Sequence, residues 1–252
     1  MAERQAALIT GGAIRVGFHF AKTLAQKGFD IAIHYNSSAH QAQDAVSAIS
    51  ALGVRCKAYP FNFLTDGDPS GLIGDVKRDF PGLSVLVNCA STYNAAPIAE
   101  TPWQLLQDEF KVNFFAPYML CGAFAREVGV GNIVNILDNK IAFQQYQYGA
   151  YLSSKKALAE LTKMAAMEFA PHIRVNGIAP GVILPGVTRS EEYIAWRAQG
   201  IPLRRQGNLD ELGKALLYIL DNAYITGQHL FVDGGESLFH IGQNAEVYQA
   251  DE

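Results

Sequence analysis

Tyr151 and Lys155 stand four residues apart, the spacing that puts two side chains on one face of a helix. A cation beside a phenol favours phenolate and lowers the tyrosine pKa. That readies Tyr151 to give or take a proton near neutral pH. A second cluster lies near the start of the chain, where Thr10-Gly11-Gly12-Ala13-Ile14-Arg15-Val16-Gly17 follows an apolar run. A glycine-rich turn between strand and helix lets backbone N–H groups approach a pyrophosphate, and the helix N-terminus favours its charge. Arg15 stands near the expected phosphates. The next apolar run ends in His34-Tyr35-Asn36-Ser37-Ser38. A site for an unphosphorylated ribose usually places Asp or Glu there. This stretch has none and offers hydroxyls, His34 and, from the first turn, Arg15. A 2′-phosphate meets donors and no repulsion, so the expected cofactor is NADPH/NADP+ rather than NADH.

The elements that must position these groups alternate along the chain. Strands are expected over Ala6–Ile9, Phe29–His34, Val54–Phe61, Leu83–Asn88, Gly131–Leu137, Ile173–Ala179 and Gln228–Val232. Helices are expected over Arg15–Lys27, Ala39–Leu52, Pro102–Val128 and Tyr148–Phe169. In the first helix Val16, Phe20 and Leu24 recur on one face, and Gly28 marks its end. The strands are continuous apolar runs, as expected when both faces are covered. The expected fold is therefore α/β: one Rossmann-type, doubly wound parallel sheet of about seven strands with helices on both faces. It spans residues 1–238 as a single domain, and 239–252 form a C-terminal extension. Residues 181–208, with Pro185, Gly186, Gly200 and Pro202 around a short helical piece, read as a substrate lid.

Composition narrows the class of function. The 252 residues are 49% hydrophobic and 17% charged, with net charge −4, which fits a buried core and no disordered chain. No basic stripe suggests a nucleic-acid partner. Cys56, Cys89 and Cys121 are too scattered for a disulfide framework, and the six histidines show no ligand spacing, so no metal is expected. The three cysteines fit a reducing compartment, with the cytoplasm expected, and no apolar run reaches the length of a membrane span or a signal peptide.

With these landmarks in order, the chain resembles the short-chain dehydrogenase/reductase family over about residues 6–238. The resemblance rests on the Thr10-Gly11 turn, Asn88-Cys89-Ala90, Asn113, Tyr151/Lys155, Arg174-Val175-Asn176-Gly177 leading to Pro180-Gly181, and Asp233-Gly234-Gly235. It implies that Asn88 lies by the cofactor, that Asn113 completes a proton relay through water, and that Lys155 also holds the nicotinamide ribose. The implied cofactor contacts are Gly11, Arg15, Val16, His34, Tyr35, Asn36, Ser37, Ser38, Asn62, Phe63, Asn88, Ala90, Ser91, Tyr151, Lys155, Pro180 and Gly181. The family usually forms homotetramers. Two departures point to its pteridine reductase branch: Arg15 where glycine is usual, and Asp138 where a serine usually precedes the tyrosine. Ser91-Thr92-Tyr93 and Tyr148 are similar to that branch too. Its implied substrate contacts are Arg15, Ser91, Tyr93, Asp138, Tyr148 and Tyr151, with Tyr93 and the nicotinamide sandwiching a pterin.

Asp138 also has a physical logic of its own. Ketone reduction builds negative charge on oxygen, which a nearby carboxylate opposes. Reducing a C=N bond adds a proton to nitrogen and makes the substrate more cationic, which a carboxylate suits. Asp138, Tyr151, Lys155 and Asn113 thus form the expected catalytic set, and Asp138 read blandly would only cap a loop. The expected activity is NADPH-dependent reduction of a dihydropteridine to its tetrahydro form. Two other readings stay open: a reductase of a 3-oxoacyl thioester or sugar-like ketone, and a non-catalytic NADPH-binding sensor.

Overall fold

Seven parallel strands lie side by side in the order β3-β2-β1-β4-β5-β6-β7 in this computed structural model, which describes residues 3–184 and 190–238. The strands are β1 (Ala6–Ile9), β2 (Asp30–Tyr35), β3 (Cys56–Pro60), β4 (Leu83–Asn88), β5 (Gly131–Ile136), β6 (Ile173–Pro180) and β7 (His229–Val232). The helices are α1 (Arg15–Gln26), α2 (Ala39–Ser50), α3 (Gly71–Asp79), α4 (Trp103–Phe110), α5 (Ala116–Glu127), α6 (Gly149–Phe169), α7 (Glu191–Gln199) and α8 (Leu209–Asp221). The doubly wound sheet is as expected, with strand ends displaced by one or two residues. The turn residues Pro185 and Gly186, and the whole extension 239–252, lie outside the described residues.

Alternation on β1 divides the core. Ala7 and Ile9 face a cluster with Phe20, Leu24, Ile49, Leu212 and Leu216, from α1, α2 and α8. Ala6 and Leu8 face another with Ile73, Val76, Leu120 and Phe124, from α3 and α5. Strand order reverses between β1 and β4, and the crevice at their C-terminal ends is where open α/β sheets bind ligands. Both the glycine turn after β1 and the Asn88-Cys89-Ala90 run after β4 open there. Thr10 Oγ1 joins them, accepting the backbone N–H groups of Cys89 (2.9 Å) and Ala90 (3.0 Å).

The expected long helix Pro102–Val128 is divided. Between α4 and α5, Lys111–Phe115 form a π-helical turn in which the Ala116 N–H reaches back to Lys111 O. Pro117 explains it. Proline has no N–H for the carbonyl four residues back, and its ring crowds that carbonyl. That carbonyl belongs to Asn113, so the turn that widens is the one carrying a candidate catalytic side chain. Among the described residues no helix is long and apolar enough to cross a membrane.

Candidate active site

Two cavities meet at the switch point. The first, about 370 Å³, is lined by Gly11, Arg15, Val16, His34, Tyr35, Asn36, Ser38, Asn62, Phe63, Ala90 and Ser91 among others. The second, about 410 Å³, is lined by Asp138, Tyr151, Lys155, Tyr93, Pro180, Gly181, Arg197 and Glu236 among others. Arg15, Val16, Cys89 and Ser91 line both.

The first cavity is built from close backbone approaches. Gly11 has φ +63°, and a Cβ on it would sit 3.0 Å from Ala90 Cα. A Cβ on Gly17 would collide with the Gly11 carbonyl. Ile14, just before helix α1, gives it no side-chain cap, and no acid stands in the first turn, so its N-terminal N–H groups face an anion-compatible space. No carboxylate is found among the described residues lining this cavity. These features fit the phosphates of a dinucleotide. Arg15 adopts φ +52°, a region costly for a residue with a Cβ.

His34 departs from the expectation that it is a donor to a 2′-phosphate, because both of its ring nitrogens are engaged within the protein. It is buried, its Nδ1 accepts the Gly11 N–H (3.1 Å) and its Nε2 lies 2.9 Å from Phe61 O. A ring nitrogen that accepts from N–H is unprotonated, so Nε2 carries the proton and donates. The ring stacks on Phe63 at 4.3 Å. Burial lowers the His34 pKa to about 4. His34 therefore bolts the glycine turn to β2 as a neutral imidazole.

In the second cavity the Tyr151 hydroxyl donates to Asp138 Oδ2 at 2.7 Å. Asp138 Oδ1 accepts the Lys140 N–H at 2.8 Å. One oxygen of Asp138 thus caps the loop, and the other meets the phenol. Lys155 is buried on the same face of α6, and its Nζ donates to Ile136 O at 2.8 Å. The expected lowering of the Tyr151 pKa by Lys155 is reversed. Burial, then the charge of Asp138 and its hydrogen bond, hold the phenol well above its ordinary value. Burial also lowers the Lys155 pKa, against the pull of Asp138. Tyr151 is thereby protonated at neutral pH.

A sequence model of the family described as Enoyl-(Acyl carrier protein) reductase matches residues 12–237. The chain belongs to the short-chain dehydrogenase/reductase family. It is 32% identical over 238 residues to the 5-keto-D-gluconate 5-reductase of Escherichia coli (strain K12), covering 90% of this chain and 93% of the relative. Among solved structures it is similar to FolM Alternative dihydrofolate reductase 1 from Brucella suis in complex with NADP, at 30% identity and TM-score 0.89, covering 98% of this chain and 100% of that one. The same protein from Brucella canis, complexed with NADP, gives 30% identity and TM-score 0.87, covering 97% and 98%.

Other family landmarks take places the motifs did not specify. Asn88 is buried, is not among the residues lining either cavity, and donates through Nδ2 to Asn135 Oδ1 at 2.8 Å. Ser37 is exposed and does not line the first cavity. Tyr148, an expected substrate contact, stacks instead on Tyr93 at 4.4 Å and 10°, and is not among the residues lining the second cavity. One face of Tyr93 is thus already covered, and Tyr151 meets it edge-on at 4.6 Å. Lys140 Nζ lies 3.2 Å from the Tyr93 hydroxyl. Asn113 is fully buried, its Oδ1 accepting from Ser91 Oγ (2.9 Å) and Thr92 N (3.0 Å).

Sequence reasoning missed the polar end wall. Arg197 on α7 forms a 2.7 Å buried ion pair with Glu236. Asn139, next to Asp138, donates to Glu236 Oε2 at 2.9 Å. Arg197 and Glu236 are far apart in sequence, so only their charge inside helical or turn segments could have signalled them.

Proposed function

We propose that this protein reduces the C=N bond of a dihydropteridine ring with NADPH as hydride donor. The observation that carries the reading is the Tyr151–Asp138 hydrogen bond. Bound NADPH supplies a hydride from its nicotinamide. Gly11, the start of α1 and Arg15 would hold its phosphates, with Tyr35, Asn36 and Ser38 at the ribose rim. Tyr151 keeps its proton until a ring nitrogen takes it. Asp138 suits the cationic character that nitrogen acquires, and it receives no repulsion from an oxyanion because none forms. Lys155 fixes the floor under Tyr151, and α7 serves as the lid. The FolM structures support the reading, because both hold NADP and both proteins are named as alternative dihydrofolate reductases.

The second reading is reduction of a sugar-acid ketone. Its support is the likeness to 5-keto-D-gluconate 5-reductase, and Asp138 stands against it. A homotetramer is part of the proposal, supported by exposed Trp103, Phe115, Tyr118, Met164 and Met167 on α4 to α6. A cytoplasmic setting is supported by three free cysteines.

The test is NADPH oxidation with a 7,8-dihydropterin, with 5-keto-D-gluconate and with a 3-oxoacyl thioester, each repeated with NADH. Turnover of the dihydropterin with NADPH is expected. Turnover of a ketone alone would transfer the assignment to the second reading.

A further inference from the structure

Glu109, in the last turn of α4, is 0% exposed. Among the described residues no cation lies within ion-pair distance of it. A buried carboxylate without a counter-charge is costly unless donors satisfy it. Four do. Oε2 accepts from Thr92 Oγ1 (2.8 Å) and Asn113 Nδ2 (2.7 Å). Oε1 accepts from the Asn94 backbone N–H (2.9 Å) and from Asn94 Nδ2 (2.9 Å). Every one of these donors belongs to the active-site loop 92–94 or to the candidate catalytic asparagine.

All four partners of Glu109 are donors, so both of its oxygens act as acceptors. Asn113 must therefore turn its NH2 group toward Glu109, and its carbonyl toward Ser91 Oγ and the Thr92 N–H. The groups that Ser91 Oγ contacts, Asn113 Oδ1 and Thr92 O, are both acceptors. The single Ser91 proton thus points inward, and its lone pairs face the junction where the two cavities meet. We infer that Glu109 is a positioning residue for the reaction: its acceptor-only carboxylate fixes the direction of every hydrogen bond from Asn113 to Ser91 and clamps the loop carrying Tyr93 over the catalytic tyrosine. This rests on the reductase reading of the same site.

The polarity is locked at both ends by backbone N–H groups, which cannot reverse. In Glu109→Gln one carboxylate oxygen becomes NH2. If the NH2 faces Asn94, the Asn94 N–H loses its acceptor. If it faces Asn113, the asparagine flips and the Thr92 N–H loses its acceptor. Either way one N–H is stranded. In Glu109→Gln with Asn113→Asp, the acceptor-only group moves across one hydrogen bond. The new amide at position 109 then donates to the new carboxylate at position 113, and both backbone N–H groups keep acceptors.

The experiment is residue-resolved hydrogen exchange of the apo protein, with NADPH affinity by fluorescence and steady-state kinetics on whichever substrate the wild type reduces. For E109Q, exchange at Thr92 or Asn94 should quicken at least about tenfold, the scale of one stranded buried donor. Amides of β1 and β4 should keep their protection, and kcat/KM should fall about tenfold while NADPH affinity stays within about twofold. The double variant E109Q/N113D should restore protection at Thr92 and Asn94. Retained protection and kcat/KM in E109Q would overturn the inference. So would loosening spread evenly over the sheet that the double variant does not repair. A wild type inactive on all three substrates fails the functional reading alone, because the exchange measurement reads the network without turnover.

Discussion

Tyr151 and Asp138, thirteen residues apart in the chain, share one hydrogen bond of 2.7 Å in the second cavity. The phenol is the donor and the carboxylate the acceptor. After burial, the charge of Asp138 and this bond are the next largest causes raising the Tyr151 pKa. Replacing Tyr151 by Phe removes the proton and leaves the ring. Turnover should fall by about 10²–10⁴, the usual contribution of a general acid, while NADPH still binds. Activity near wild type in stopped-flow NADPH oxidation would remove Tyr151 from the mechanism.

Replacing Asp138 by Ser removes two causes of the raised phenol pKa and restores a neutral donor where an oxyanion would form. Dihydropterin turnover should fall about 100-fold, the scale of one charged group aimed at the reacting atoms. Ketone turnover should rise. The apparent pKa of the alkaline limb should move down, because the phenol loses the charge that held its proton. A D138S enzyme with unchanged preference between pterin and ketone would defeat the charge argument.

The legible parts of the molecule were those carried by local pattern. Ala6–Ile9, the glycine turn, the parallel sheet and the Tyr151/Lys155 spacing all follow from short windows of sequence. The parts not legible depend on contacts between distant segments. Glu109 reads in sequence as one more acid on an amphipathic helix, and only the fold encloses it. Tyr148 reads as a substrate residue until Tyr93, from another loop, covers it. His34 reads as a phosphate donor because burial is invisible in a five-residue stretch. Two signals were present and unused. Pro117 marks the π turn, and Asn208 with Glu211 forms the capping box that starts α8.

His34 gives stability a defined pH dependence. Its pKa falls from 6.5 unfolded to about 4 folded, through burial. Between these values the unfolded chain binds more protons, so stability rises with pH. The contribution is complete above pH 6.5 and is lost as pH falls toward 4, amounting to about 3 kcal/mol. Urea unfolding across this window should show that slope, and His34→Phe should flatten it. A slope unchanged in H34F would assign the acid sensitivity elsewhere.

The Arg197–Glu236 pair fastens α7 to the turn after β7, with both side chains buried. Removing one partner strands a buried charge. Arg197→Met should therefore cost about 3–5 kcal/mol. Replacing both, R197M with E236L, should cost clearly less, because no charge is left without a partner. Equilibrium denaturation of the two single variants and the double one measures the coupling. Additive losses would show that the pair is not coupled through direct contact.

Arg15 separates backbone cost from side-chain function. Its φ of +52° places a Cβ where L residues lose about 1–2 kcal/mol. Glycine relieves that strain, and its greater freedom in the unfolded chain takes back about 0.4–1 kcal/mol. Arg15→Gly should thus be stabilised by up to about 1.6 kcal/mol. It also loses the side chain of a residue that lines both cavities. A charged hydrogen bond to a phosphate is worth about 1.5–3 kcal/mol, so NADPH affinity should fall by roughly tenfold or more. NADH, without the 2′-phosphate, should lose much less. Arg15→Ala divides the two effects, since it keeps the Cβ and the strain but loses the same donor. It should match R15G in cofactor preference and fall below it in thermal stability. Equal losses for NADPH and NADH in both variants would place Arg15 on the shared pyrophosphate. Equal melting temperatures for R15A and R15G would show that the left-handed backbone carries no strain.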